Sequence, residues 1–234
     1  DFFIYWLDYK INVSMKTALS VLVFLFSTVF LLAQNAEEIV QKNIENTGGE
    51  KSWINLNSII LKGDVALDVN NTYPLVVYHK RPYHKRVVFI MNQKEVLNEG
   101  YDGKNGWTYS DILKKNVVVP NYQPDAFDSD LLMYKKKGFT VQLVGETEVE
   151  KIPVYKVALS KNKNITYYYF DKKTYQLLME ENKEETLIYS NYKKINGLTF
   201  AMKIVGKPKQ GGEYVVAFSE IKINPSISEK QFKF

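Results

Sequence analysis

From Ile59 to Ile223 the chain is written almost without pause in short β-rich runs separated by turn dipeptides, and this rhythm limits the possible folds more than any other feature. In the first run Ile59, Leu61, Val65, Leu67 and Val69 alternate with Ser58, Lys62, Asp64 and Asp68, so one face is apolar and the other wet. Further strands are predicted at Leu75 to Lys80, Tyr83 to Asn92, Lys94 to Tyr101, Gly106 to Ser110, Lys115 to Val119 and Phe139 to Thr147. The same signal continues at Pro153 to Ser160, Asn164 to Asp171, Gln176 to Glu181, Glu185 to Tyr192, Phe200 to Val205 and Glu213 to Ile223. Turn signals at Asn70-Asn71, Asp102-Gly103, Asn105-Gly106, Lys161 to Asn164, Asn196-Gly197 and Gly211-Gly212 join them. Links this short make sequence neighbours antiparallel partners. About a dozen such strands must curl or close to bury an apolar face.

Two segments break the rhythm. Residues 36 to 47, AEEIVQKNIENT, place Ile39, Val40, Ile44 and Thr47 on one helical face, carry Glu37 and Glu38 in the first turn and stop at Gly48-Gly49. A short turn or half-helix with Trp53, Ile54 and Leu56 follows. In residues 120 to 138, Asp125, Asp128 and Asp130 precede Leu131, Leu132, Met133 and Tyr134, and Lys135 to Lys137 lead into Gly138. Acids first, bases last and a closing glycine predict a second, short helix. The expected class is α+β, mainly β: a curved sheet with helices in its mouth, a shape that can hold an apolar ligand between the two layers.

The start of the chain bears on the compartment. From Met15 the sequence reads MKTALSVLVFLFSTVFLLAQNAEE, a Met-Lys start, an apolar run from Ala18 to Ala33, then small and polar residues. That is the layout of a cleaved secretory signal peptide over residues 15 to 35, and it implies a periplasmic location. An uncleaved anchor is the alternative, since the run nearly reaches the ~20 residues that span a bilayer. Residues 1 to 14 read as an upstream, non-native segment, which leaves 36 to 234 as one domain. The sequence has no cysteine, which excludes disulfides, thiolate metal sites, Cys nucleophiles and a lipidated N-terminal Cys.

No residue set writes a reaction. EGYDGKNGWTY (99 to 109) is not a phosphate loop: Asn105 follows its lysine where Ser or Thr is needed, and Asn98 replaces the first glycine. The two histidines, His79 and His84, sit among Lys80, Arg81, Lys85 and Arg86, which would repel a metal ion. Asp125, Asp128 and Asp130 lack the calcium-loop pattern and read as helix caps. Glu180, Glu181, Glu184 and Glu185 read as a solvated charge run around a turn. The expectation is a non-enzyme with no cofactor and no metal. Basic stretches such as YHKRPYHKR serve solubility alone or meet anionic lipid headgroups or an acidic partner, and not nucleic acid, which a secreted chain rarely meets.

Several stretches together carry a resemblance. They are AEEIVQKNIENTGGEKSWINLNSIILKG, KRPYHKRVVF followed by YDGKNGWTY, LLMYKKKGFTVQLVGETEVEKIPVYKVAL, TYYYFDKKTYQLLMEE, and YSNYKKINGLTF with INPSISEKQFKF. On these residues the chain resembles the outer-membrane lipoprotein-sorting proteins of the LolA/LolB-like superfamily over nearly all of 36 to 234. The resemblance implies an incomplete, half-open antiparallel β-barrel with helices as a lid. It also implies an apolar cavity that shields lipoprotein acyl chains, or another lipid-like ligand, in the periplasm. Implied partners are an inner-membrane release complex, an outer-membrane acceptor and transient membrane contact. An RseB-like sensor or protein-interaction module of the same fold is the alternative. Carried over individually is Arg81, which should hydrogen-bond the lid and hold it shut; the plainer reading is a solvated arginine before Pro82. Candidate cavity lining on the inward faces is Ile59, Leu61, Val65, Leu67, Val88, Ile90, Phe139, Val141, Leu143, Tyr167, Tyr169 and Phe218. Lid contacts are expected from Ile39, Ile44, Trp53, Leu131 and Leu132, and each of these would also serve as ordinary core.

Overall fold

The computed structural model describes residues 36–124 and 126–234. The expected signal peptide, the upstream segment and Asp125 lie outside the described residues.

Helix α1 covers residues 36–46 and buries Ala36, Ile39, Val40 and Ile44, the face its spacing predicted. It stops where Gly49 donates to the Ile44 carbonyl at 2.8 Å. A side chain on Gly48, whose φ is 130°, would also collide with the Gly197 carbonyl at 2.7 Å. Helix α2, Glu50–Ile54, follows at once.

Thirteen strands then form one sheet. They are β1 Ser58–Ala66, β2 Thr72–Lys80, β3 His84–Met91, β4 Lys94–Tyr101, β5 Gly106–Ser110, β6 Lys115–Val119 and β7 Thr140–Val149. The remainder are β8 Ile152–Lys161, β9 Asn164–Asp171, β10 Leu177–Glu181, β11 Glu185–Ile195, β12 Leu198–Pro208 and β13 Tyr214–Ile223, with a 3-10 turn at Glu229–Phe232. All neighbours in the order are antiparallel, and all are sequential except the β1–β13 pair, which joins the two halves of the meander. The edge strands are β6 and β7, which do not pair with each other. The sheet is therefore curved but not closed, as a half-open barrel.

This topology explains the crossing segment. Residues 120–139 leave one edge strand and enter the other, so they must pass over the open side. The described residues among them do so as irregular chain and turns and not as the predicted helix. Isolated bonds such as Leu132 to the Ser129 carbonyl (3.0 Å) and Lys137 to the Met133 carbonyl (3.2 Å) replace a ladder, and Met133 takes a left-handed φ of 53°. Charge placement favoured a helix, but burial of Leu131 and Leu132 against α1 and β8–β9 fixes the chain otherwise.

Two clusters hold the layers together, and a third packs on the sheet's outer face. Under α1 lie Val157, Leu159, Tyr168 and Phe170 of the sheet with Leu131 and Leu132 of the crossing segment. Near α2 lie Leu56, Ile59, Leu198 and Ile221. On the outer face, Val149, Val154 and Tyr169 pack with Tyr167, Leu178 and Met179. Gly63 of β1 lies so close to β13 that an added Cβ would meet the Ala217 carbonyl at 2.0 Å, beside the bulge in that pair. No helix among the described residues is long and apolar enough to cross a membrane.

Candidate functional site: a half-open cavity beneath a latched lid

A cavity of about 550 Å³ remains between the sheet and its covers. Its roof comes from Ile44 of α1 and Thr47 just after it, Trp53 and Leu56 around α2, and residues 126–132 of the crossing segment. Its floor comes from Leu61, Tyr168, Leu177, Glu180, Tyr189, Tyr192, Phe200, Ala201, Ile204 and Phe218. Most of this lining is apolar, which is what an alkyl chain requires.

Of the expected lining, Ile44, Trp53, Leu61, Leu131, Leu132 and Phe218 meet at this cavity. Ile39, Phe139, Val141 and Leu143 belong to the cluster beneath α1, where the protein's own helix fills the space. Ile59 is core beside Leu198 and Ile221. Val65 is buried on the same face of β1 but beyond the cavity, and Leu67 lies past the strand end with 42% of its surface exposed.

Four expected residues face the other way. Tyr167 and Tyr169 lie on the outer face, where Lys156 Nζ sits 4.2 Å from the Tyr167 ring centroid and the Tyr169 hydroxyl donates to Glu181 at 2.8 Å. Tyr168 and Phe170 take the inner positions instead. Val88 and Ile90 are displaced in the same way. Val88 pairs with Val76 and Val76 with Lys62, so both share the Lys62 face and not the Leu61 face. The C-terminal turn covers that side of β3, with the His84 and Phe232 rings 5.2 Å apart and Arg86 donating to the Gln231 carbonyl at 3.3 Å. In YYYF and VVFI every residue is aromatic or aliphatic, so the sequence holds no alternation to choose the face, and a one-residue slip inverts it.

Arg81 is the latch. Its guanidinium grips Asp128 with two bonds of 2.5 and 2.6 Å, and donates to the Trp53 carbonyl at 2.9 Å and to the Leu56 carbonyl at 2.7 Å. One side chain thus ties β2's end to α2 and to the crossing segment at once. The Phe127 ring lies 4.8 Å from the guanidinium and, tilted by 38°, 4.9 Å from the His79 ring, closing this corner. The solvated alternative for Arg81 does not describe this geometry. Asp128, expected as a cap, serves as the latch's anion. Further ties are Asn43 to the Tyr175 carbonyl (2.8 Å), Asn46 to the Thr174 carbonyl (2.9 Å) and Lys135 to Glu37 (2.7 Å).

The cavity's polar element was hidden in the sequence. Glu180, placed in a solvated charge run, faces inward from β10 and accepts the Tyr189 hydroxyl at 3.1 Å. Burial, with the nearby acids Asp130 and Glu185, pushes its carboxyl above the ordinary range against the opposing effect of the Tyr189 bond. Burial, then the Glu180 charge, pushes the Tyr189 phenol well up, so it stays a donor. Tyr192 donates to the Leu177 carbonyl, and Tyr168 is raised by burial. Asn191 lies between Tyr189 and Tyr192 with a φ of 55° and interrupts the strict alternation of β11, and both tyrosines reach the cavity. The signal that could have found this site is the glutamate's place on a strand rich in inward neighbours, not its charge. Among the described residues no group of His, Asp or Glu is arranged to hold a metal ion.

No family model matches the chain, and no curated protein matches it. Solved structures do. An outer membrane lipoprotein-sorting protein domain from Vibrio parahaemolyticus superposes with a TM-score of 0.54 at 16% identity, covering 86% of this chain and 97% of that one. The chain shares the fold of that domain. A LolA superfamily protein from Nitrosomonas europaea gives a TM-score of 0.55 at 14% identity, over 85% of this chain and 97% of its own length. At such identities the likeness concerns the fold, and the site must be argued from its own residues.

Proposed function

We propose that this LolA-fold protein is a periplasmic carrier that shields the acyl chain of a lipoprotein or similar amphiphile and passes it toward the outer membrane without covalent chemistry. The observation that carries this reading is the half-open, mainly apolar cavity roofed by a segment that a single arginine latches. A ~150 Å³ apolar cavity accommodates one benzene ring. By that measure the 550 Å³ here has room for roughly twenty carbon-sized atoms. That suits one acyl chain with the latch closed; a lipoprotein with several chains needs the latch open. Each buried methylene contributes ~0.8 kcal/mol, so a twelve-carbon chain gains about 10 kcal/mol, less the cost of immobilisation. An inner-membrane release complex would supply the ligand and an outer-membrane acceptor would take it.

Native mass spectrometry with an added lipopeptide tests the reading. Wild type should gain one ligand mass, and Ala201→Trp, which fills the floor of the cavity, should gain none while keeping its fold by circular dichroism. Uptake by neither protein, or equal uptake by both, would overturn it.

A further inference from the structure

We propose that Glu180 and Tyr189 form a subsite for the amine head of an amphiphile whose hydrocarbon fills the cavity; this rests on the carrier reading and names its ligand class. A cavity for hydrocarbon alone has no use for a carboxylate. Glu180 nevertheless lines it, and its one hydrogen bond among the described residues is that from Tyr189, to Oε2. A carboxylate offers about four acceptor positions, so most of this group's capacity is open.

Among the described residues no lysine or arginine lines the cavity, and the basic groups of the adjoining segments bond elsewhere. Arg81 is held by Asp128, Lys137 donates to the Ser129 carbonyl at 2.7 Å, and Lys209 serves the outward-facing Glu181 at 3.2 Å. The charges that act on Glu180 are themselves acids, Asp130 and Glu185. Among the described residues the pocket is thus short of one cation. A bound ammonium within a few bonds of an alkyl chain would meet both needs, donating to the free oxygen and neutralising the charge. A fatty acid would be repelled, and an alcohol would satisfy the hydrogen bond without the charge. Candidates of this chemistry are long-chain amines and lipopeptides whose terminal α-amine is free.

The experiment titrates the whole protein with dodecylamine, dodecanol and dodecanoic acid by displacement of a fluorescent alkyl probe. The amine should bind about tenfold tighter than the alcohol, the difference between a charge-assisted and a neutral hydrogen bond, and the acid weakest. Glu180→Gln should reduce the amine preference to within about twofold while alcohol binding holds, and Glu180→Asp, which keeps the charge, should retain it. A diacyl lipopeptide with a free α-amine should likewise outbind its N-acetylated form, which separates a lipopeptide source from a simple amine. Equal binding of all three heads, a preference for the acid, or an amine preference that survives Glu180→Gln would overturn the subsite and leave the carrier reading standing. Binding of no chain with any head would remove the carrier reading and the subsite together.

Discussion

Replacing Arg81 by leucine removes four donated hydrogen bonds and leaves Asp128, whose side chain is 12% exposed, without its counter-ion. Breaking a fully buried pair costs ~3–5 kcal/mol. The Arg81 side chain is 26% exposed, so water returns part of that and ~2–3 kcal/mol is the working figure. At ~1.4 kcal/mol per tenfold, the opened lid should become roughly 30- to 150-fold more populated. Hydrogen exchange reads this directly. The amides of Asn55 and Leu56, bonded to the Lys51 and Trp53 carbonyls, and of Leu132, bonded to Ser129, report the lid. Their exchange should accelerate by that factor, and ligand uptake and release should both quicken. Arg81→Lys keeps a charge but loses the fork, so it should fall between the two. Lid amides within about twofold of wild type in Arg81→Leu would refute the latch.

Two further outcomes follow from the site. Burial, with Asp130 and Glu185, raises the Glu180 carboxyl, so its folded value exceeds its unfolded one. The proton is then favoured by the folded state, and stability from this group is present in acid and lost as pH rises through the raised value. Glu180→Gln should therefore be more stable than wild type at neutral pH, with the difference vanishing in acid, as thermal melts across that range will show; a gap that does not depend on pH would sink the assignment. The register correction predicts that Tyr168→Leu alters lipid uptake several-fold while Tyr169→Leu stays within about twofold, and the reverse ranking in a displacement assay would refute the placement of these strands.

The strands were legible because turn chemistry punctuates them. Lys94–Tyr101, Gly106–Ser110, Lys115–Val119 and Asn164–Asp171 have the predicted bounds. The stretch EGYDGKNGWTY is punctuated in the same way: Asp102 accepts the amides of Lys104 and Asn105 at 2.8 and 2.7 Å and the Trp107 indole at 2.9 Å, which makes it a hairpin turn. Facing was less legible. Where Tyr167, Tyr168 and Tyr169 follow one another, only pairing to neighbouring strands decides which points inward, and bulges at Val87/Val88 and Leu177/Met179 shift the count further. The segment 120–138 read as a helix because charge order is local information, whereas its conformation answers to the Arg81 latch and to burial of Leu131 and Leu132. Arg81 itself was reached by resemblance, since nothing in a single Arg-Pro pair says that Asp128, 47 residues away, would meet it.

The central claim is that hydrocarbon enters the concave side of the sheet. Photo-crosslinking with a diazirine-tagged acyl chain, read by peptide mass spectrometry, tests it most directly. Labels should fall on Leu61, Phe200, Ile204 and Phe218 and be absent from Ala201→Trp. Labelling confined to the outer positions Leu178 and Met179, or scattered over the surface and unchanged in the filled variant, would contradict it.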